Sequence, residues 1–144
     1  MELSQIISMK ISVNEKCPCG SGFKYKKCCL LLHKGKKASN ALELMKSRYA
    51  AYVACEIEYI IKTTDKNNID YKEDTKLWRE EINSFCKNTE FVSLDIINFI
   101  DADKEATVTF KANLKIAGDD ASFIEESKFN KIDGMWFYHS AKIS

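Results

Sequence analysis

Four cysteines within thirteen residues, Cys17, Cys19, Cys28 and Cys29 in CPCGSGFKYKKCC, constrain this chain more than any other feature of its sequence. Two close pairs separated by eight residues can fold back on a single ion. Four thiolates at tetrahedral corners, about 2.3 Å from the metal, make a closed structural zinc site. The intervening loop suits that closure. Pro18 stiffens the first pair, and Gly20, Ser21 and Gly22 supply turn conformations that other residues resist. Disulfides are the poorer alternative: adjacent cysteines bridge only with strain, and Cys17 and Cys19 are too close for easy geometry. The start, MELSQIISMKIS, lacks a basic segment followed by a long apolar core, so a reducing, cytoplasmic setting is expected. Clustered cysteines there usually hold metal. Zinc is the expected cofactor, with another soft metal or thiol chemistry as the alternatives. The other two cysteines, Cys55 and Cys86, stand alone in apolar surroundings and read as buried thiols.

The same thirteen residues resemble the SEC-C motif, which closes the bacterial preprotein translocase ATPase SecA and recurs in many small bacterial proteins. Its pattern is C-x-C-x-S-G-x-x-x-K-x-C-[CH]. Cys17, Cys19, Ser21, Gly22, Lys26, Cys28 and Cys29 match it position by position. The resemblance implies zinc binding. Because the motif in SecA contacts the chaperone SecB and the ribosome, it also implies a protein-binding role.

Beyond the motif, the chain divides by pattern. Residues 1–16 read as an N-terminal extension, with Met1 or Met9 as the start. Residues 17–37 hold the knuckle and a basic connector, in which His33 reads as a solvent-exposed linker residue. Residues 38–144 carry the rest. Asn40 followed by Glu43 is a capping box. Leu42, Met45, Tyr49, Tyr52, Val53 and Ile60 then recur at helical spacing, predicting one helix to about residue 63. A polar loop over 64–74 leads to a second helix near 75–88, with Trp78, Ile82 and Phe85 on its apolar face. From residue 90 the period becomes two. Strands are expected over 91–100, 106–116, 121–131 and 135–140, with turns at Asp101–Lys104, Gly118–Asp120 and Asp133–Gly134. Helices followed by an antiparallel meander make an α+β fold, the helices covering the apolar face of a curved sheet.

That second part resembles the YchJ-type family, which joins a SEC-C motif to a nuclear transport factor 2-like domain. Ala41, Leu44, Met45, Ser47, Arg48, Tyr49, Ala51 and Tyr52 match its helix pattern A-x-x-L-M-R-S-R-Y-x-A-Y. Glu125, Ser127 and Phe129, then Gly134, Trp136 and Tyr138, fit its later strands. The resemblance implies helices packed on a curved antiparallel sheet in a cone, with a pocket between them. The family histidine before the glutamate is Ile124 in this chain.

The formal net charge of +1 hides a division. Residues 16–37 contain Lys16, Lys24, Lys26, Lys27, Lys34, Lys36 and Lys37 and no acidic residue, so this segment is +7 and the remainder −6. Four thiolates on a divalent ion reduce the local figure to about +5. A basic knuckle of this kind, with Lys24, Tyr25, Lys26 and Lys27 as its contact residues, is expected to engage a protein partner of chaperone, translocase or ribosome type. Nucleic acid ranks lower, because only Phe23 and Tyr25 interleave with the lysines. No apolar run is long enough to span a membrane. The alternative function is small-molecule binding or catalysis in a pocket formed by Arg48, Tyr49, Tyr52, Glu125 and His139. Arg48 is expected to pair with Glu125 or another acid. No phosphate-cradling loop, nucleophile elbow or catalytic metal pattern is present, so a binding protein is expected over an enzyme.

Overall fold

The computed structural model describes residues 11–143. Most of the extension read over 1–16, and the choice between Met1 and Met9, lie outside the described residues. Its last residues do not stand apart. Lys26 N donates to Val13 O (3.0 Å) and Tyr25 N to Glu15 O (2.8 Å), and Lys16 bridges Lys24. The folded knuckle therefore begins before position 17.

A 3-10 turn at Tyr25–Lys27 leads into helix α1, Cys29–His33. The connector expected over 30–37 is thus helical in its first part, and Leu32 is buried. Helix α2, Ala41–Ala54, begins where expected. Asn40 Oδ1 accepts from Glu43 N (2.8 Å), while the Glu43 carboxylate reaches back to Ser39 N (3.1 Å) rather than to Asn40.

The single helix predicted to residue 63 is broken. Cys55 adopts a left-handed conformation (φ 58°), Glu56 N bonds Ala51 O (2.8 Å) and Cys55 N bonds Tyr52 O (3.3 Å). This is a Schellman closure with cysteine where glycine is usual. A short helix α3, Ile57–Lys62, then starts in a new direction. Cys55 is consequently half-exposed, not buried. Helix α4, Thr75–Asn88, matches its prediction, and Asp74 Oδ1 caps it by accepting from Lys76 N (3.1 Å).

The sheet is an antiparallel meander of β1 (Thr89–Ile100), β2 (Glu105–Ile116), β3 (Asp119–Asp120), β4 (Phe123–Ile132) and β5 (Met135–Ile143). Its order is β1-β2-β4-β5, with the two-residue β3 also on β2. β3 and β4 share one register against β2 (Lys115 opposite Asp120, Ala112 opposite Phe123), so they act as one strand interrupted at Ala121–Ser122. Tight turns at Ala117–Gly118 and Asp133–Gly134 have positive φ at both positions, as two-residue hairpins require. The first turn lies one to two residues before the place its sequence suggested. Bulges fall at Val92 and Ile97 in β1 and at His139 in β5.

The inward residues of the sheet are Val108, Phe110, Ala112 and Leu114 on β2, Phe129 on β4 and Trp136 on β5. They pack on Leu44, Met45 and Tyr49 of α2, with Ile60 and Ile82 alongside. Helix α2 is buried nearly all round, because the knuckle covers its other side. The 64–74 loop is less solvated than its polarity suggested. Asp65 is buried, and Asp65 N and Tyr138 N exchange bonds of 2.8 Å with Tyr138 O and Thr63 O. That exchange covers part of the outer edge of β5. Among the described residues, no helix is long and apolar enough to cross a membrane.

Candidate metal centre and adjoining pocket

The knuckle brings the four cysteines together as their spacing requires. The Sγ atoms of Cys17, Cys19, Cys28 and Cys29 all lie within 4.8 Å of one another. Cys19 and Cys28 are 3.6 Å apart at sulfur, and Cys28 and Cys29 4.0 Å. Those separations are far too long for disulfides, which need about 2.05 Å. They bracket the roughly 3.8 Å edge of a tetrahedron with 2.3 Å metal–sulfur bonds. The donor set therefore fits one tetrahedral ion. Cys17, Cys19 and Cys29 are buried, and Ser21 Oγ lies 3.1 Å from Cys28 Sγ. This hydroxyl is a second-layer contact of the kind that orients a thiolate ligand. The thiols titrate as a set. The hydrogen bond with Cys19, and then burial, push Cys17 up to about 12, while the bonds from Cys17 and Cys29 hold Cys19 far below the ordinary thiol range. A divalent ion resolves that competition by stabilising every thiolate at once.

Besides Leu32, which is buried in the main core, two residues join the knuckle to the rest of the chain. Ala50 of α2 is fully buried against the cysteine cluster, with Ala54 beside it; side chains this small let the cluster sit close to the helix. The second joint is His33, and it corrects the expectation of a solvent-exposed linker histidine. Its Nε2 donates to Ser47 O (2.8 Å), and its Nδ1 accepts from the Tyr25 hydroxyl (2.6 Å). The ring also packs on Tyr59, centroid to centroid 4.7 Å. Tyr25 is only 4% exposed, so it serves this joint from within and is not a surface contact. Lys24, Lys26 and Lys27 are exposed, and so is Phe23, at 64%. Phe23 was weighed in the sequence only for nucleic acid. Its place between Gly22 and Lys24 on an outward turn was the signal that it stands free.

In the neutral form both ring nitrogens of His33 are engaged, Nε2 as donor and Nδ1 as acceptor. Burial lowers its pKa below the ordinary 6.5; the Ser47 bond and Glu56 oppose the change, and Lys62 adds to it. The unfolded chain thus binds more protons than the folded chain between the two values. The joint contributes its full stability above about pH 6.5 and loses it as pH falls through the folded value. Following the imidazole resonance by NMR should place the His33 midpoint below 6.5; a midpoint at or above that value would overturn the neutral assignment.

On the other side of α2 lies a cavity of about 550 Å³. It is walled by α2, by α4 and by the concave face of the sheet, and it contains Arg48, Tyr49, Tyr52 and Glu125 of the residues expected there. His139 is not among them. It occupies the β5 bulge, its Nδ1 lies 2.9 Å from Ser140 Oγ, and its carbonyl accepts from Asn68 Nδ2 (2.6 Å). The expected Arg48–Glu125 pair is also replaced. Arg48 Nη1 donates to Ile60 O (3.0 Å), Thr63 Oγ1 (2.6 Å) and Thr64 Oγ1 (3.2 Å), and its guanidinium covers the Tyr138 ring at 4.7 Å. Glu125 Oε2 instead accepts from Ser127 Oγ (2.5 Å). Burial raises the Glu125 pKa, against the Ser127 bond and the Arg48 charge. Trp78 and Phe85 of α4 and Phe110, Phe123 and Tyr138 of the sheet also line the space. Trp78 and Phe85 read from the sequence as the apolar face of a helix, and inward periodicity of that kind does not separate a filled core from a lined cavity.

Two family models match the chain. The SEC-C motif covers residues 14–31. The domain described as YchJ, middle NTF2-like, covers residues 40–141. A UPF0225 protein of Shewanella sp. strain ANA-3 is 35% identical over 135 residues, spanning 87% of this chain and 79% of that protein. The solution structure of a SEC-C motif containing protein from Rhodopseudomonas palustris superposes with a TM-score of 0.76 at 30% identity, over 88% of this chain and 96% of the other. The crystal structure of a SEC-C motif containing protein from Psychrobacter arcticus gives 0.77 at 27% identity, over 92% and 84%.

Proposed function

Since the chain belongs to the family that joins a SEC-C motif to a YchJ-type NTF2-like domain, we propose that it is a cytoplasmic binding protein whose zinc-closed knuckle docks on an acidic protein surface. Zinc is favoured by the donors: four soft thiolates in a tetrahedral set leave no open position for substrate and suit a structural ion. The observation that carries the docking reading is the exposed Phe23 ring beside the exposed Lys24, Lys26 and Lys27, on a turn fixed from below by the cysteines. An apolar anchor ringed by flexible cations combines a buried contact with electrostatic steering. The +7 charge of residues 16–37 favours an acidic partner, of chaperone, translocase or ribosomal type.

The test uses the zinc-loaded full chain as bait in a cell extract, with every captured protein purified and its affinity measured again. Changing Lys24, Lys26 and Lys27 together to glutamate should weaken a true partner by about tenfold or more and flatten its salt dependence. Phe23→Ala should weaken it about tenfold at all salt concentrations. Partners that bind both variants as tightly as the wild type would remove the reading.

A further inference from the structure

The cavity beneath α2 has a composition that selects a ligand class. Its walls are rings set edge to face: Tyr52 meets Phe85 at 5.6 Å and 89°, and Phe110 meets Phe123 at 6.3 Å and 67°. Its volume, about 550 Å³, is that of a small-molecule site. Each pair is in contact, and the open space they line presents ring faces and edges that suit flat, apolar groups.

The charged groups inside are few. All three hydrogen bonds of Arg48 leave from Nη1; Nε and Nη2 make none within the described residues, although Arg48 lines the space. Ser127 occupies Glu125 Oε2, and Oε1 makes no hydrogen bond within the described residues. Among its charged side chains the cavity thus holds one unused donor set and one unused acceptor, beside the hydroxyl-bearing rings of Tyr49, Tyr52 and Tyr138. The donor set and the acceptor are opposite in charge. The other charged groups stand at its mouth: Lys72 is paired with Glu81 at 2.7 Å, and Asp70 is exposed. A cationic ligand satisfies Glu125 and opposes Arg48, and an anionic ligand does the reverse. A neutral ligand that carries both a donor and an acceptor satisfies both.

We propose that this cavity binds a neutral, planar aromatic lactam, its ring N–H donating to Glu125 and its carbonyl accepting from Arg48, while its rings lie between the aromatic walls. The residues involved are not those of the knuckle, and the inference stands whether or not the knuckle binds a protein.

Four bicyclic probes of similar size test it on the zinc-loaded full chain: isoquinolin-1(2H)-one, naphthalene, 2-naphthoate and 2-naphthylmethylammonium. Dissociation constants are read by NMR titration of the cavity resonances. The lactam should bind more tightly than naphthalene by about tenfold or more, the net effect of two hydrogen bonds to charged groups less the cost of desolvating the lactam. Arg48→Met and Glu125→Ala should each erase that preference and leave naphthalene binding within about twofold. Should either variant fail to fold, the ranking of the four probes on the wild-type chain decides alone. Equal affinity for lactam and naphthalene overturns the proposal in favour of a merely apolar cavity. Tighter binding of the ammonium or the carboxylate overturns it in favour of a charged ligand. The absence of lactam binding at its solubility limit overturns it outright.

Discussion

A Cys19→Ser, Cys28→Ser double variant is expected to lose its metal, and with it the folded knuckle. The two sulfurs are 3.6 Å apart and each belongs to a different pair of the cluster. Without an ion, residues 13–33 retain only a small apolar nucleus around Tyr25, Leu32 and Ala50, well below what a segment of that size needs to stay folded. Structural zinc supplies an apparent 10–16 kcal/mol in comparable peptides, roughly the whole of the folding free energy. Wild-type protein purified without added metal should carry about one zinc per chain, and the variant less than about a tenth. Amide exchange over 13–33 should become unprotected, while the sheet stays protected. The sheet domain loses the His33–Ser47 hydrogen bond, worth about 1 kcal/mol, and the contact of the imidazole with Tyr59, so its melting temperature should fall by only a few degrees. Normal amide protection in the metal-free variant would show that the knuckle is held by packing and not by an ion.

The second large effect is expected in the sheet. Phe129 is 1% exposed and lies at the centre of β4, its ring 5.9 Å from that of Tyr138. Phe129→Ala deletes a ring that helps to close both the core and the floor of the cavity. The cost is about 3–5 kcal/mol, from lost transfer free energy and from the void left behind. For a chain of this length that lowers the melting temperature by roughly 10–15 °C in calorimetry at saturating zinc. Phe23→Ala, at a ring that is 64% exposed, should leave it unchanged within a degree or two. A loss below about 1 kcal/mol at Phe129 would mean that the cavity collapses freely, and that its walls are not rigid.

What could be read from the chain divides along a physical line. The cysteine cluster was legible because its closure is local: eight intervening residues with two glycines, and a proline inside the first pair, decide it. The α+β order and the second helix were legible from period alone. The break at Cys55 was not, since no glycine or proline marks it. The left-handed turn is imposed by the packing of α3 against α2 and α4, at a position where the sequence offers only a cysteine. His33 was misread for the same kind of reason: its partner is a main-chain carbonyl fourteen residues away, and a carbonyl has no sequence signature. His139 sits at a bulge, and bulges arise from pairing between strands. Arg48 lines the cavity, but its partners are not the expected acid. The hydroxyls that hold it, Thr63 and Thr64, reach it only because the chain turns back after Cys55.

The acceptor for His33 has a consequence of its own. Because the bond ends on the carbonyl of Ser47 and not on its side chain, replacing residue 47 leaves the acceptor in place. Position 47 is constrained on other grounds, by the bond of its hydroxyl to Tyr59 (2.7 Å). The knuckle thus reads the backbone of a helix, small side chains such as Ala50, and the ring of Tyr59. Side-chain drift at position 47 can proceed without removing the acceptor, whereas on the knuckle side the hydrogen-bonded part of the attachment rests on one imidazole, beside the buried Leu32. A module that grips in this way is portable: over evolutionary time it can be grafted onto another helix that offers an accessible carbonyl and an alanine one turn away.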